Sequence, residues 1–245
     1  SALELPFKSV TGAFISNELP DAFPVHLVEA ASEADANEVY VGYEAGQFVE
    51  TLGPVSDHGI IECLGMLKSL RGTEVYRVRT AISNNATPIN LNMKKWQEEI
   101  SKGMERGYVL TIDYGKYLDE SCLPDPNRPS FRCYSHLQEN NCGEECDFGF
   151  IYQHPGKIDL TSDIDFGLLV EFGKRCGLRM ESITGQSEFL NEIASKSTSM
   201  AWFTEMDTFH LYPRNSGHDP YKVLIQSKGI EKPLLLPDVI NFPSS

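Results

Sequence analysis

The sequence predicts an α/β protein, and three observations predict it. Ala13-Phe14-Ile15 is an apolar run too short for a helix that breaks off at Asn17, Glu18 and Asp21, punctuated by Pro20 and Pro24. Residues 90–106 carry helical periodicity and lead through Gly107 into the apolar stretch 108–112, which stops at Asp113-Tyr114-Gly115. Helix, glycine and apolar strand in that order are the crossover pattern of a parallel sheet. Between these two segments lie alternating stretches that pair more naturally as antiparallel hairpins, so an accessory subdomain is expected inside the sheet's connections.

The elements follow in order. After the opening strand, Val25–Val28 suits a second short strand, and residues 38–43 and 48–52 a hairpin. Asp57 is placed to cap a helix with Ile60, Ile61, Leu64, Leu67 and Leu70 on one face. Residues 74–78 suit another strand. In the helix over 90–106, Leu91, Trp96, Ile100 and Met104 mark the buried side, with Gly107 as its stop. Residues 116–158, rich in Pro, Asn, Gly and Cys, are expected to form a long irregular loop, a feature usually tied to function. Thr161 is the expected N-cap of a helix over 164–176, with Asp163 and Asp165 in its first turn and Gly177 as its stop. A strand over 178–184, a helix over 187–194 and a last strand over 221–226 complete the reading, with 202–212 unassigned.

Composition bounds the function. The chain has 245 residues, 41% of them hydrophobic, enough for a sizeable core. No apolar run approaches the roughly 18 residues of a membrane span, and residues 1–6 do not resemble a signal peptide, so membrane insertion is not expected. The net charge of −14 disfavours nucleic acid and suits a basic polypeptide partner. Six cysteines are too few for a disulfide scaffold, and Cys63 and Cys176 fall in apolar helical patterns that suit buried thiols. Cys133, His136, Cys142 and Cys146 could close a zinc site, with Cys122 nearby; free loop thiols are the alternative, and no metal is assigned.

Four segments carry a family resemblance. Ser16–His26 resembles an Asn-Glu-x-x-Asp-Ala-Leu-Pro-Val-His block, Gly107–Gly115 an Asp-Tyr-Gly block, Asp159–Phe166 an Asp-Leu-Thr-x-His-Val-Asp-Phe block, and Thr184–Leu190 a Thr-Gln-x-x-Phe-Leu block. In this order they resemble the MidA-type S-adenosylmethionine-dependent methyltransferases, whose members include the mitochondrial arginine methyltransferase that assists assembly of respiratory complex I. Two departures stand out: Asp163 occupies the family's His position, and Gly185 is inserted after Thr184.

The resemblance implies the C-terminal half of a class I, Rossmann-like methyltransferase sheet, of strand order 3-2-1-4-5-7-6 with the seventh strand antiparallel. The strand at Gly12 would be the fourth and that at Tyr108 the fifth, with residues 27–106 as an inserted substrate-side subdomain. The family's Gly-rich turn after its first strand has no counterpart here, since no Gly-x-Gly occurs in the sequence. The outer edge of the fourth strand is then expected to be open. A longer parent protein, a second chain or a homodimer would each complete it.

The implied cofactor is S-adenosylmethionine, and the implied partner a protein substrate, such as a complex I subunit, methylated on arginine. The location would be intracellular: mitochondrial in a eukaryote, cytoplasmic in a bacterium. A guanidinium acceptor needs carboxylates to fix its plane, and Glu18 and Asp21 are the candidate catalytic pair. Asn17, Asp113, Tyr114 and Gly115 are the candidate cofactor-binding residues. The structural alternatives are helix capping for Glu18 and Asp21, core packing for Tyr114, capping for Asp159, Thr161 and Asp165, and a satisfied structural histidine for His26. A non-catalytic binding or assembly module is the competing function, and a zinc-stapled interaction domain a third.

Overall fold

A computed structural model describes residues 4, 10–30, 35–72, 75–118, 130–135, 148–196 and 220–231. In chain order the elements are β1 (Val10–Asn17), a 3-10 turn (Pro20–Ala22), β2 (His26–Glu29), β3 (Asn37–Glu44), β4 (Gln47–Pro54), α1 (His58–Arg71), β5 (Thr87–Ile89), α2 (Leu91–Gly103) and β6 (Met104–Lys116). There follow β7 (Phe131–Ser135), α3 (Phe148–Gln153), β8 (Ile158–Ser162), β9 (Ile164–Asp165), α4 (Phe166–Arg175), β10 (Arg179–Gly185), α5 (Gln186–Lys196) and β11 (Tyr221–Lys228). The chain divides into two compact units: Ser1–Leu19, Trp96–Gly115 and Val170–Ser245 form the first, Pro20–Lys95 and Lys116–Leu169 the second. Among the described residues no helix is long and apolar enough to cross a membrane.

The first unit holds a mixed sheet in the order β1-β6-β11-β10. β1 runs parallel to β6, from Thr11 opposite Arg106 to Asn17 opposite Ile112. β11 is antiparallel to both β6 and β10. This is the order and polarity implied for strands four, five, seven and six of a class I methyltransferase. Val109, Ile183, Val223, Leu224 and Ile225 are buried along these strands, with Trp96, Ile100, Val170 and Phe172 from the helices. Fully buried Gln97 and Gln226 converge on Gly173, where a Cβ would fall 2.0 Å from Gln226 Nε2, so the glycine sets how closely α4 approaches β11.

The second unit is built on an antiparallel sheet, β4-β3-β2-β5, and a two-stranded ladder, β7-β8. Its core includes Val28, Ile60, Cys63, Leu67, Ile89, Met93 and Phe166, and a smaller cluster gathers Val78, Phe131 and Phe148. Asp57 caps α1 as its sequence position predicts, accepting from the Gly59 amide at 2.7 Å.

Several elements differ from the sequence reading. The strand expected over 74–78 reduces, in its described part, to one bridge between Val78 and Ala86, and the strand forms at Thr87–Ile89 instead. α2 stops at Gly103, and Gly107 lies inside β6, where close packing on Gly12 rather than helix termination requires a glycine. The segment 116–158 contains β7 and α3, because Phe131 and Phe148 stack at 5.7 Å and supply a local core. Thr161 belongs to β8 rather than a helix cap. Asp165 caps α4 instead, accepting from the Leu168 amide at 2.9 Å.

β1 also departs from expectation. Predicted as a buried strand, it exposes Ala13 and, at 70%, Ile15, because among the described residues it pairs with β6 alone.

Candidate functional site

In the first unit, Asn17 and Glu18 end β1, and Asp113, Tyr114 and Gly115 lie at the corresponding end of β6. The parallel register sets Asn17 opposite Ile112, and the Glu18 amide donates to Ile112 O at 2.9 Å, one residue past the strand. These five sequence-predicted residues are therefore brought together on adjoining carboxyl ends of parallel strands, where open α/β sheets place their ligands.

Glu18 has φ of +45°. An L-residue with a long side chain holds this left-handed conformation only when its surroundings impose it, at a cost of about 1–2 kcal/mol. Here the bond to Ile112 O fixes the backbone while the side chain stays exposed. Asn17 is exposed beside it, its amide 3.5 Å from Glu18 Oε1. The strand end thus offers an amide and a carboxylate to a ligand.

The β6 end is closely packed. Asp113 is fully buried, and its Oδ1 accepts from the Tyr114 amide at 2.7 Å. Tyr114 is 7% exposed and packs edge-on against Tyr221 of β11, with centroids 5.4 Å apart. The Gly115 amide donates to Pro220 O at 3.3 Å. Tyr114 is thus packed into the sheet beside the strand end. Tyr221 was missed in the sequence, since only the antiparallel register that sets it opposite Tyr114 reveals it.

Asp21 belongs to the second unit. It is buried in the 3-10 turn, and its Oδ2 accepts from Thr161 Oγ1 at 2.8 Å. That contact ties the turn to β8. Asn90 adds another tie, donating to Pro20 O at 2.9 Å while its Oδ1 accepts from the Met93 amide.

The Asp159–Phe166 segment is committed to structure in the same unit. Asp163 accepts from Arg132 Nη1 at 2.7 Å in a buried ion pair. Burial alone would lower the Arg132 pKa, but the Asp163 carboxylate outweighs it and holds the guanidinium more firmly charged. Asp165 pairs with Arg71, whose Nη2 also donates to Lys116 O at 2.9 Å. Tyr76, Asn90, Ser162, Asp163 and Asp165 line a pocket with about 20 Å³ accessible to water, room for roughly one molecule. His26 sits 2.6 Å from Glu38 Oε1, a structural pairing. Cys133 is half-buried on β7 with a free thiol, while Cys122, His136, Cys142 and Cys146 lie outside the described residues.

Comparison with known proteins bears on this arrangement. Residues 2–184 match the sequence profile of the Methyltransf_28 family, described as "Putative S-adenosyl-L-methionine-dependent methyltransferase". Two solved structures from Burkholderia thailandensis share the fold. One, a COG1565 superfamily member bound to S-adenosyl-homocysteine and described as a "likely methyl transferase", has a TM-score of 0.65 and 20% identity, over 93% of this chain and 56% of that one. The other, a native crystal structure of a COG1565 superfamily protein, has a TM-score of 0.66 and 21% identity, over 94% and 58%. The chain thus spans little more than half the length of these proteins. No curated protein matches it.

Proposed function

The chain belongs to the family of S-adenosyl-L-methionine-dependent methyltransferases, and on that premise we propose that it carries the acceptor side of a protein methyltransferase active on arginine. The family's cofactor is S-adenosylmethionine, which supplies an electrophilic methyl on a sulfonium. The described strand ends fit such a donor in their polar groups and their wall: an exposed amide and carboxylate at the end of β1, and the buried Asp113-Tyr114 at the end of β6.

In this reading Asn17 holds the amino-acid portion of the cofactor, and Asp113, Tyr114 and Gly115 line its side. Glu18 receives the acceptor. Its carboxylate accepts paired hydrogen bonds from a guanidinium, fixes the plane of that group and favours lone-pair density on the attacking nitrogen. Methyl transfer is an in-line displacement, so holding the nucleophile at the right angle is the main demand, worth up to roughly 7–11 kcal/mol. Asp21, the second candidate carboxylate, is held by Thr161. The open edge of β1, with Ala13 and Ile15 uncovered, receives the rest of the methyltransferase sheet. By the family resemblance, the protein substrate is a respiratory complex I subunit and the setting mitochondrial in a eukaryote.

The observation that carries the proposal is the left-handed backbone of Glu18 at the end of a parallel strand. Backbone strain of this kind concentrates at ligand-binding positions. The test is methyl transfer from labelled S-adenosylmethionine to an arginine-containing polypeptide by the full-length protein. Glu18→Gln is expected to lower kcat/KM by about 10- to 100-fold, the worth of a hydrogen bond to a charged group, with an unchanged unfolding midpoint. Full activity in a folded Glu18→Gln protein would remove Glu18 from the acceptor site. Labelling of lysine or another side chain instead of arginine would overturn the acceptor.

A further inference from the structure

In the second unit the stretch 75–89 folds back on itself, closed by a bridge in which the Val78 amide donates to Ala86 O at 2.7 Å and the Ala86 amide to Val78 O at 3.0 Å. Val78 packs into the cluster with Phe131 and Phe148. By the two-residue period of extended chain, Arg77 and Arg79 flank it on the other face. Arg77 lies opposite Thr87, and its Nη1 donates to the Thr87 hydroxyl. Arg79 directs its Nε to Asn84 Oδ1 at 3.0 Å.

The partners of these two arginines set them apart. The chain has 35 acidic residues against 21 lysines and arginines, and other arginines find carboxylates. Arg71 pairs with Asp165, Arg132 with Asp163, Arg175 with Glu171 and Arg179 with Glu181. Among the described residues, Arg77 and Arg79 have only neutral oxygens as hydrogen-bond partners. The Glu50 carboxylate reaches the same turn, but it accepts from the Ile82 amide and from the Tyr152 hydroxyl and pairs with neither arginine. Arg77 is half-buried and Arg79 exposed. Burial pushes the Arg77 pKa down with no carboxylate to offset it, whereas Asp163 reverses that effect at Arg132. A charge withdrawn from water without a counter-charge is costly, and a bound anion removes that cost.

We infer that Arg77 and Arg79 form a binding site for an oxyanion, a phosphate or carboxylate group. A guanidinium presents a planar fork of donors that matches two oxygens of such a group. Arg77, anchored on Thr87, is the fixed member of the pair. Arg79 is steadied through its Nε by Asn84 and keeps its terminal nitrogens for the ligand. In a chain whose net charge of −14 repels anions at long range, the pair is a local exception. The site belongs to the second unit and does not rest on the acceptor role of Glu18.

The test is calorimetric titration of inorganic pyrophosphate and, separately, of citrate into the full-length protein at low ionic strength, where screening is weak. Saturable binding of at least one is expected. Binding of pyrophosphate alone assigns the site to phosphate groups, and binding of citrate alone to carboxylates. Arg79→Gln, at an exposed position, should weaken that binding by about tenfold or more with an unchanged unfolding midpoint. Arg77→Lys keeps the charge but not the fork, and should weaken it too. Arg106→Gln, which removes an exposed charge from the first unit, should leave it unchanged. No binding of either anion by the folded protein, or equal binding by the wild type and Arg79→Gln, would overturn the site. So would an equal loss in Arg106→Gln, the sign of a general charge effect.

Discussion

Glu18 and Glu38 are carboxylates held in opposite ways. Glu18 keeps its side chain in solvent while its backbone is constrained, so its chemistry is available to a ligand. Glu38 is buried, which by itself raises a carboxyl pKa. Hydrogen bonds from His26 and from Ser56 outweigh that effect and hold the group below its ordinary value. A carboxylate lowered in this way contributes stability that is present above the unfolded pKa and is lost as the pH falls through the folded one. Glu38→Gln should therefore lower the urea midpoint at neutral pH and flatten its decline between about pH 5 and pH 3, the range in which carboxyl groups titrate. A variant whose pH profile runs parallel to that of the wild type would show that Glu38 carries no such linkage. Asp163 makes a related point: it forms a buried ion pair with Arg132, so its carboxylate is committed to structure.

At the scale of elements, the join between β1 and β6 positions the site. The strands come so close that a Cβ on Gly107 would lie 1.8 Å from Gly12 O, and Gly107 has φ of +150°. Gly107→Ala should destabilise the protein by about 1–3 kcal/mol, read from urea unfolding, because a side chain there must push β1 away. An unchanged midpoint would mean that β1 contributes little to the fold. Much of this arrangement was legible in the sequence, since apolar runs ending in Asn17-Glu18 and Asp113-Tyr114 reveal strands and their chemical ends. The Asp57 cap was legible too, because capping is local. The 131–135 strand was not, because its partner is β8, and no local pattern announces a ladder closed across the intervening loop. Thr161 misled for the same reason: a good capping residue was claimed by pairing with Arg132 and by the carboxylate of Asp21.

At the scale of the whole molecule, the chain passes between two compact units more than once, and the candidate residues follow that division. Asn17, Glu18, Asp113, Tyr114 and Gly115 belong to the first unit and Asp21 to the second. Glu18 and Asp21, three residues apart in sequence, fall on either side of the boundary between the units. The net charge of −14 and the lysine- and arginine-free stretch from Ser9 to Leu67 suit a basic polypeptide partner. The central claim is that the ends of β1 and β6 hold the methyl donor. Calorimetric titration of S-adenosyl-homocysteine into the full-length protein and into its Asn17→Ala variant tests it most directly. Saturable binding is expected, weakened by about 5- to 10-fold in Asn17→Ala, the worth of one lost hydrogen bond. Equal affinity in both proteins, or no binding by the folded full-length protein, would contradict it.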